Sequence, residues 1–568
     1  MKRLYSLLAA AIVGTVASYA QIGTKPDFKF ADKSKTPVFA FGEMAKLSTI
    51  KLDTNAGKKA KVPRKLPSPT VTEPIYTQPE GTLHDNQYRL SFGCYTDDFG
   101  TWFTDVDGQK GAYVEGNDGK VYIHNPFSTY PTNTWLTATK GEGDTLNVDL
   151  PQAIYKEEGT DFFGNPMKII AYATRMTYAN NTCTVDDTCQ RIKYIMRNDS
   201  LLKVDDSSLL GLCDEYGDWY RYGDWTTAMG PMTDQIITPE SPETAQPFTV
   251  EYTYTDSYME TTERLKKPCS VVFEGDYIYI NGLSKNSIDG WIKGRIEGDK
   301  VVFDKLQYIG YDKKTGRYIY FSPIYYKSTV DEEGSDVDSI FFCGPLTISY
   351  NADAQTFGGD GIMATNYGRN TIYIDNEFES PSFAFWDQKV AAPKDPVFTE
   401  LYDYNPDDWG TGNFTFRLYN HTDDGTYLDP DKCYYNVFLD GEKYTYEPDE
   451  YTNLPYELTD IPYSFTDKWN IFIFGSQRNL YFNGADWTTV GVQCFYRDDD
   501  GTEYRSHRVT AKLKNGETGI NSVENGINGT VTYHDLSGRK VNAPTSGIYL
   551  KTVTAKDGSK KTTKFIAK

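Results

Sequence analysis

Ser270-Val-Val-Phe-Glu-Gly-Asp-Tyr-Ile-Tyr-Ile280 places a Gly-Asp pair between two runs of β-branched and aromatic residues. A Gly-Asp pair favours a tight turn and the flanking runs have the composition of strands, so the segment predicts a β-hairpin. A second hairpin of the same kind follows in Trp291-Ile-Lys-Gly-Arg-Ile-Glu-Gly-Asp-Lys-Val-Val-Phe303. Aromatic residues make up 15% of the chain, and few segments have a helical period. These features predict an all-β protein of half-buried antiparallel strands.

The hairpin pattern occurs twice, which indicates an internal duplication. Short motifs recur in the same order, at an offset that shrinks from 157 to 151 residues: Val121-Tyr-Ile123 and Ile278-Tyr-Ile280, Gln152-Ala-Ile154 and Gln307-Tyr-Ile309, Tyr216-Gly217 and Tyr367-Gly368. Small loop deletions would produce such a drift. We therefore expect two tandem β repeats, over residues 81–235 and 236–390. Each should be an antiparallel meander of the sandwich or barrel type, and an irregular β-propeller is the alternative.

The rest of the chain divides into shorter segments. Residues 391–515 contain short strand-like runs between Asp, Gly and Pro turns, such as Tyr434-Tyr-Asn-Val-Phe-Leu439. This spacing is typical of an immunoglobulin-like or fibronectin III-like sandwich. A small C-terminal β domain is expected over residues 516–568, where apolar and polar residues alternate. Residues 21–80 are rich in Lys, Thr and Pro and are expected to form a flexible basic leader or spacer.

The first residues have the features of a secretory signal peptide, which we place at residues 1–20. Lys2 and Arg3 precede an apolar run that closes with Ser18-Tyr19-Ala20, a small-x-small cleavage pattern. No later apolar run approaches the roughly 18 residues that a spanning helix needs. We therefore expect an exported protein without a transmembrane span.

The end of the chain carries a set of spaced residues: Tyr533, Asp535, Gly538, Arg539, Gly547, Ile548, Tyr549 and Lys564. With these residues the segment resembles the C-terminal sorting domains of the Bacteroidota type IX secretion system. The resemblance implies passage through the type IX secretion machinery and a secreted or outer-membrane surface location. The short stretch between Arg539 and Gly547 leaves open whether the tail is cleaved or retained. The order of domains is also similar to that of secreted multidomain Bacteroidota proteins of unassigned activity.

Net charge excludes one class of partner. The formal charge is -21, and Lys and Arg outnumber Asp and Glu in residues 21–80 and 521–568, so the acidic excess lies in between. An acidic body repels phosphate backbones, and we expect no nucleic-acid partner. The acidic excess is also explained by a surface that keeps an exported protein soluble.

One aromatic segment is the best candidate for ligand binding. Tyr216-Gly-Asp-Trp219 is echoed by Tyr222-Gly-Asp-Trp225, with Tyr220 between them. Aromatic rings stack on the C–H faces of sugars while carboxylates accept hydrogen bonds from hydroxyls. The candidate ligand-binding residues are therefore Tyr216, Trp219, Tyr220, Tyr222 and Trp225. Packing within a core or between the repeats would explain the same residues.

The sequence has no recognisable catalytic motif. Its five His are scattered, and zinc-binding, phosphate-loop and nucleophile-elbow motifs are absent, so we assign no catalytic or metal-binding residue. Short acidic turns such as Asp105-Val-Asp-Gly108 could supply oxygen ligands for calcium, but ordinary turns account for them, and no cofactor is expected. Among eight cysteines, Cys183 and Cys189 are close in sequence and are candidate disulfide partners.

The leading hypothesis is a non-enzymatic surface or secreted protein that binds glycans or host proteins. The alternative is a secreted carbohydrate-active enzyme with its site between the two repeats, because catalytic carboxylate pairs are set by spatial separation rather than by a motif. A structural spacer on the cell envelope is the third hypothesis.

Overall fold

The computed structural model describes residues 66–512 apart from short gaps, together with strands in both terminal segments. The gaps are residues 97–100, 161–165, 180–181, 205–207, 257–260, 331–335, 371, 403–411, 449–450, 452–453, 468–469 and 483–486. Outside this span the described residues are 28–29, 40–41, 524–525, 529–534, 540–541, 547–555 and 560–567. These parts of the chain consist of strands and turns, with 3-10 turns at Pro242–Thr244 and Pro430–Lys432 and no α-helix. The prediction of an all-β protein is confirmed.

The first repeat contains twelve strands. Two short strands precede it, Phe28–Lys29 (β1) and Ala40–Phe41 (β2), and pair with each other. The strands of the repeat are Gly81–Thr96 (β3), Thr101–Gly116 (β4), Lys120–His124 (β5), Trp135–Lys140 (β6), Thr145–Asp149 (β7), Gln152–Thr160 (β8), Pro166–Ala179 (β9), Thr182–Val185 (β10), Arg191–Arg197 (β11), Ser200–Lys203 (β12), Leu209–Cys213 (β13) and Trp219–Pro231 (β14).

Eight of these strands close into an antiparallel barrel. The circuit runs β3-β4-β5-β6-β7-β11-β12-β14 and returns from β14 to β3. A side sheet of β8, β9 and β13 branches from the first half of β14, and β10 pairs with β9. Of the architectures expected for the repeats, the barrel is therefore the one that forms.

The barrel interior is filled by side chains. Alternate residues of the strands point inward, so that Val121, Ile123, Leu136 and Tyr194 are each at most 1% exposed. An eight-stranded barrel is just wide enough for its own side chains to occupy it. The interior therefore holds the core of the repeat, and any ligand site must lie on its outer surface or at its edges.

The second repeat follows the same order of strands. They are Gln246–Asp256 (β15), Thr261–Glu274 (β16), Tyr277–Asn281 (β17), Ile292–Glu297 (β18), Lys300–Phe303 (β19), Gln307–Asp312 (β20), Arg317–Val330 (β21), Asp336–Phe342 (β22), Leu346–Asn351 (β23), Thr356–Gly358 (β24), Ile362–Tyr367 (β25) and Tyr373–Phe385 (β26). Pairings of β16 with β17, β17 with β18, β18 with β19, β19 with β23, β21 with β25 and β25 with β26 repeat those of the first copy.

One glutamine in each repeat makes the same three hydrogen bonds. Gln152 accepts from Thr137 N at 2.8 Å and donates to the carbonyl oxygens of Thr137 and Asp149. Gln307 accepts from Lys293 N at 2.7 Å and donates to the carbonyl oxygens of Lys293 and Asp304. Equivalent side chains tie equivalent strands together, so the duplication extends from strand order to individual contacts.

The module after residue 391 is a β-sandwich. One sheet contains Val397–Tyr402 (β27), Gly412–Arg417 (β28), Ile471–Phe474 (β32) and Gln477–Phe482 (β33). The other contains Cys433–Leu439 (β29), Glu442–Lys443 (β30), Ile461–Pro462 (β31), Thr489–Arg497 (β34), Glu503–Arg505 (β35), Val509–Lys512 (β36) and Glu524–Asn525 (β37). Residues of both sheets, among them Phe416 and Tyr435, share one core.

The C-terminal strands form a separate small sheet. It contains Gly529–His534 (β38), Lys540–Val541 (β39), Gly547–Ala555 (β40) and Lys560–Ala567 (β41) in the order β39-β38-β40-β41. This agrees with the antiparallel sheet expected from its alternating sequence.

The chain forms two compact units. One comprises Val13–Gln246 and Cys269–Pro381, and the other includes Pro247–Pro268 and Ser382–Lys568. Nearly all of β15 and the first half of β16 are thus grouped with the sandwich, although the sequence analysis placed them in the second repeat. Glu263 on β16 accepts hydrogen bonds from the backbone N–H and hydroxyl of Ser476.

The last part of the expected flexible leader is packed against the first repeat. Thr70 donates its backbone N–H to the Pro151 carbonyl and its hydroxyl to that of Asp149. Trp135 N–H donates to the Ile75 carbonyl, and Leu66 packs on the side-sheet core. Residues 66–80 are therefore an ordered, extended strap, held by backbone hydrogen bonds that composition does not reveal.

Candidate functional site

The aromatic segment singled out from the sequence lies mostly on a strand, β14, rather than in a loop. Successive side chains of a strand point to opposite faces. Trp219 and Trp225 therefore face the side-sheet core, while Tyr220 and Tyr222 face the other way. Tyr216 precedes the strand in a turn and is 68% exposed. The five candidate residues do not form one platform.

The two tryptophans are packing residues. Trp225 is 3% exposed, and its ring centroid lies 5.8 Å from Phe92 and 5.5 Å from Phe103. Trp219 is half-buried and donates its indole N–H to Thr96 Oγ1 at 3.0 Å. Trp225 is therefore enclosed, and the indole N–H of Trp219 is engaged, so both rings contribute to packing.

The two tyrosines belong to a surface patch that the sequence analysis did not identify. We define the tyrosine patch as Tyr130, Tyr155, Tyr220 and Tyr222, all partly exposed and packed on the barrel core. Tyr130 stacks on Tyr222 with centroids 4.4 Å apart and an interplanar angle of 17°, and meets Tyr155 edge-on at 6.2 Å. Four rings from three parts of the chain are thereby brought together on one surface.

An acidic group lies beside the rings. Tyr155 donates its hydroxyl to Glu157 Oε2 at 2.6 Å, and Glu157 is exposed. That hydrogen bond, followed by partial burial and the charge of Glu157, raises the pKa of Tyr155. Burial, and then proximity to Tyr220 and Tyr222, also raises the pKa of Tyr130. These hydroxyls therefore stay protonated at neutral pH and can donate hydrogen bonds, while Glu157 accepts them.

A buried ion pair fixes the geometry of the patch. Asp224, on β14, accepts hydrogen bonds from Ser128 N at 3.0 Å and Ser128 Oγ at 2.8 Å, and pairs with Arg89 at 2.8 Å. Burial raises the pKa of Asp224, opposed by Arg89 and by the two bonds from Ser128. Asp224 lies two residues after Tyr222, and Ser128 two residues before Tyr130. The ion pair thus clamps the loop that carries one stacked ring to the strand that carries the other.

The boundary between the two repeats is the second place where polar side chains converge. Asp107, which is fully buried, accepts from the Tyr88 hydroxyl at 2.6 Å and from the backbone N–H of Asn370 at 2.5 Å. Arg369 lies over the Tyr88 ring at 4.4 Å and pairs with Asp234 at 2.7 Å. Burial and the Asp107 charge raise the pKa of Tyr88 well above its usual value.

These groups satisfy one another, so the boundary is a docking network. Arg317 donates to the Asp107 carbonyl oxygen at 2.8 Å, and its guanidinium lies over Tyr367 and Tyr373. Asp105 shares the face of β4 with Asp107, and burial, followed by the Asp107 charge, raises its pKa to about 6. Asp107 is enclosed, and its carboxylate is already occupied by these hydrogen-bond donors.

Cys183 is buried and Cys189 is exposed, and both are free thiols in this structure, as are the other cysteines. The Cys183–Cys189 bridge stays a prediction. Asp186 accepts hydrogen bonds from the backbone N–H groups of Thr188 and Cys189, which closes a tight turn. This turn directs Cys189 away from the core that Cys183 enters.

The residues of the sorting-tail resemblance are only partly within the described chain. Tyr533 on β38 pairs with Lys551, and on β40 and β41 Ile548 pairs with Ile566 and Leu550 with Lys564. Gly547 and Tyr549 also lie on β40. The expected positions Asp535, Gly538 and Arg539 lie outside the described residues.

Sequence reasoning missed half of the tyrosine patch because its members are distant in the chain. Tyr130 lies between strands and Tyr155 on β8, and neither belongs to an aromatic run in the sequence. Only the fold brings them to β14. Among the described residues, no three His, Cys, Asp or Glu side chains are arranged to hold a metal ion.

None of the helical segments that the structure describes has the length and apolar character needed to cross a membrane. No protein-family model matches this chain, and no curated protein matches it in sequence.

Proposed function

We propose that this protein is a non-enzymatic binding protein that engages glycans through the tyrosine patch. The observation that carries the proposal is the arrangement of four partly exposed tyrosines, two of them stacked at 4.4 Å, beside the carboxylate of Glu157. Aromatic surfaces with a few placed polar groups suit sugar rings, which offer C–H faces and hydroxyls together. A protein ligand that inserts a polar aromatic side chain is the competing partner.

Rigidity of the patch supports a binding role. The clamp of Asp224, Ser128 and Arg89 is buried, so the stacked rings are held in place before a ligand arrives. A preorganised surface loses less conformational entropy on binding than a flexible one. Partial exposure of all four rings leaves hydroxyl groups and ring edges within reach of solvent.

The proposal extends to where the protein acts. The signal-peptide pattern of residues 1–20 and the sorting-domain resemblance of the C-terminal segment support export by the type IX secretion machinery, with a secreted or outer-membrane surface location. The sandwich over residues 391–515 would then be a fibronectin III-like spacer. The acidic central segment supports a soluble surface and disfavours nucleic acid.

Glycan-array binding of the full chain tests the proposal with a matched control. Tyr155→Ala and Tyr220→Ala remove rings of the patch, whereas Tyr216→Ala removes a more exposed tyrosine from the turn that precedes the same strand. We expect the patch variants to raise Kd about tenfold or more, since an aromatic contact contributes on the order of 1.4 kcal/mol. We expect the control variant to bind as the parent does.

Three results would count against the proposal. Equal losses from Tyr216→Ala and Tyr220→Ala would show that the patch is not the site. Binding to a protein panel but to no glycan would replace the ligand class. Surface exposure that persists after deletion of residues 521–568, in a Bacteroidota host with the type IX machinery, would remove the sorting role of the tail.

A further inference from the structure

Two buried cysteines from distant parts of the first repeat share one core. Cys94 on β3 is 0% exposed and Cys183 on β10 is 6% exposed. Both belong to the same cluster of buried side chains, which includes Trp225 and Met176. They are far apart in sequence, and β3 and β10 are not hydrogen-bonded to each other among the described pairings.

The residues opposite the two cysteines locate them relative to each other. Phe103 lies directly across the ladder from Cys94, and Tyr178 lies directly across from Cys183. The Phe103 and Tyr178 rings meet edge-on with centroids 5.7 Å apart. Because side chains of directly paired residues lie on the same face of a sheet, this contact brings the two cysteines face to face.

The two thiols face each other within this cluster. The neighbouring thiol of Cys183, followed by burial, raises the pKa of Cys94. Cys213, in the same cluster, is a useful contrast because burial, and no neighbouring cysteine, raises the pKa of its thiol. Cys94 and Cys183 are therefore distinguished from a third buried cysteine by facing each other.

We propose that Cys94 and Cys183 form a disulfide when the chain folds under oxidising conditions. Both S–H bonds break and one S–S bond forms. The two electrons and two protons pass to a disulfide oxidant such as oxidised glutathione, which becomes two thiols. Since both side chains are enclosed in the folded protein, the bond forms before this core closes.

The bond would pin an edge strand to the barrel. Among the described strands, β10 is hydrogen-bonded to β9 alone, whereas β3 lies within the closed barrel. A cross-link between β3 and β10 therefore ties the outer strand of the side sheet to the most constrained part of the repeat. It also closes a loop of roughly 90 residues, and long loops favour a large effect on the unfolded chain.

Tryptic mapping of the refolded full chain tests the assignment. After refolding from the reduced, unfolded state with reduced and oxidised glutathione, Cys94 lies in the peptide of residues 90–110, and Cys183 and Cys189 share the peptide of residues 176–191. The proposal predicts that these two peptides are joined and separate on reduction. It also predicts that Cys189→Ser keeps the joined pair and Cys183→Ser loses it.

Thermal unfolding supplies a measurement that does not depend on any variant. We expect the oxidised parent to melt about 5–10 °C above the reduced parent. The proposal is overturned if residues 176–191 are found alone with an internal bond, if Cys94 remains fully alkylatable after refolding, or if reduction leaves the melting temperature unchanged.

Discussion

Arg89→Met is the substitution with the largest expected effect on the first repeat. Arg89 and Asp224 are 1% and 0% exposed, and their charged atoms lie 2.8 Å apart. Arg89 also donates to the carbonyl oxygens of Asn125 and Pro126. Methionine fills a similar volume but donates none of these bonds. The variant would leave a buried carboxylate that only Ser128 contacts.

The structure sets the size of the effect. Removing one partner of a buried ion pair costs about 3–5 kcal/mol, because the remaining charge stays desolvated without its counterion. The carbonyl groups of Asn125 and Pro126 would also lose a hydrogen-bond donor. We therefore expect the loss of unfolding free energy to lie in the upper part of that range. Urea unfolding followed by tryptophan fluorescence measures it, since Trp225 is buried in the same repeat.

An exposed ion pair of the same repeat is the control. Arg191 lies 2.5 Å from Asp149, but their side chains are 51% and 42% exposed. Arg191→Met should cost less than about 1 kcal/mol, because water screens an exposed pair. The double variant Arg89→Met/Asp224→Leu should recover part of the loss by removing the stranded charge. A cost for Arg89→Met no larger than that for Arg191→Met would refute the reasoning.

Two further predictions concern acid titration and close backbone packing. Burial and the Asp107 charge raise the pKa of Asp105 to about 6, so the folded state holds this proton more tightly than the unfolded state and loses stability as pH rises from about 4 to about 6. Asp105→Asn should therefore stabilise the protein at pH 7.5 by up to about 3 kcal/mol and have little effect near pH 4, measured as the change in unfolding free energy. A Cβ at Gly290 would lie 1.8 Å from the Ile309 carbonyl oxygen, whereas one at Gly344 meets nothing within 4 Å. Gly290→Ala should lower unfolding free energy by at least about 2 kcal/mol and Gly344→Ala should be neutral; equal melting temperatures would contradict this.

The duplication could be predicted because equivalent residues make equivalent contacts in the two repeats. Gln152 and Gln307 were matched by a short shared motif and its offset, and each turns out to bridge two strands with three hydrogen bonds. Such a position tolerates few alternatives, so it stays recognisable in both copies. The hairpin around Gly275 was equally readable, since its turn requires a positive φ of 56° that glycine adopts without strain.

The residues of the tyrosine patch could not be predicted from the sequence in the same way. The sequence of the segment does not show that β14 begins at Trp219 and continues through the second Gly-Asp pair, with a register shift between Asp224 and Thr226. Which rings face outward depends on that register, because a shift of one residue exchanges the two faces. The cysteine pairing was predicted from proximity in sequence, which favoured Cys189. The fold adds a second candidate, because it places Cys94 in the buried cluster that holds Cys183.

The turn around Gly368 in the second repeat and its counterpart around Tyr216 in the first repeat have different surroundings. At Gly368, a Cβ would lie 2.4 Å from the Asp107 Cγ. This turn of the second repeat is therefore packed too closely against Asp107 to accept a larger residue. Its counterpart around Tyr216 faces solvent. The turn of the first repeat is therefore free of this packing constraint, and amino-acid changes there would not weaken the fold. Residues 214–218 are accordingly a natural place to graft new sequences.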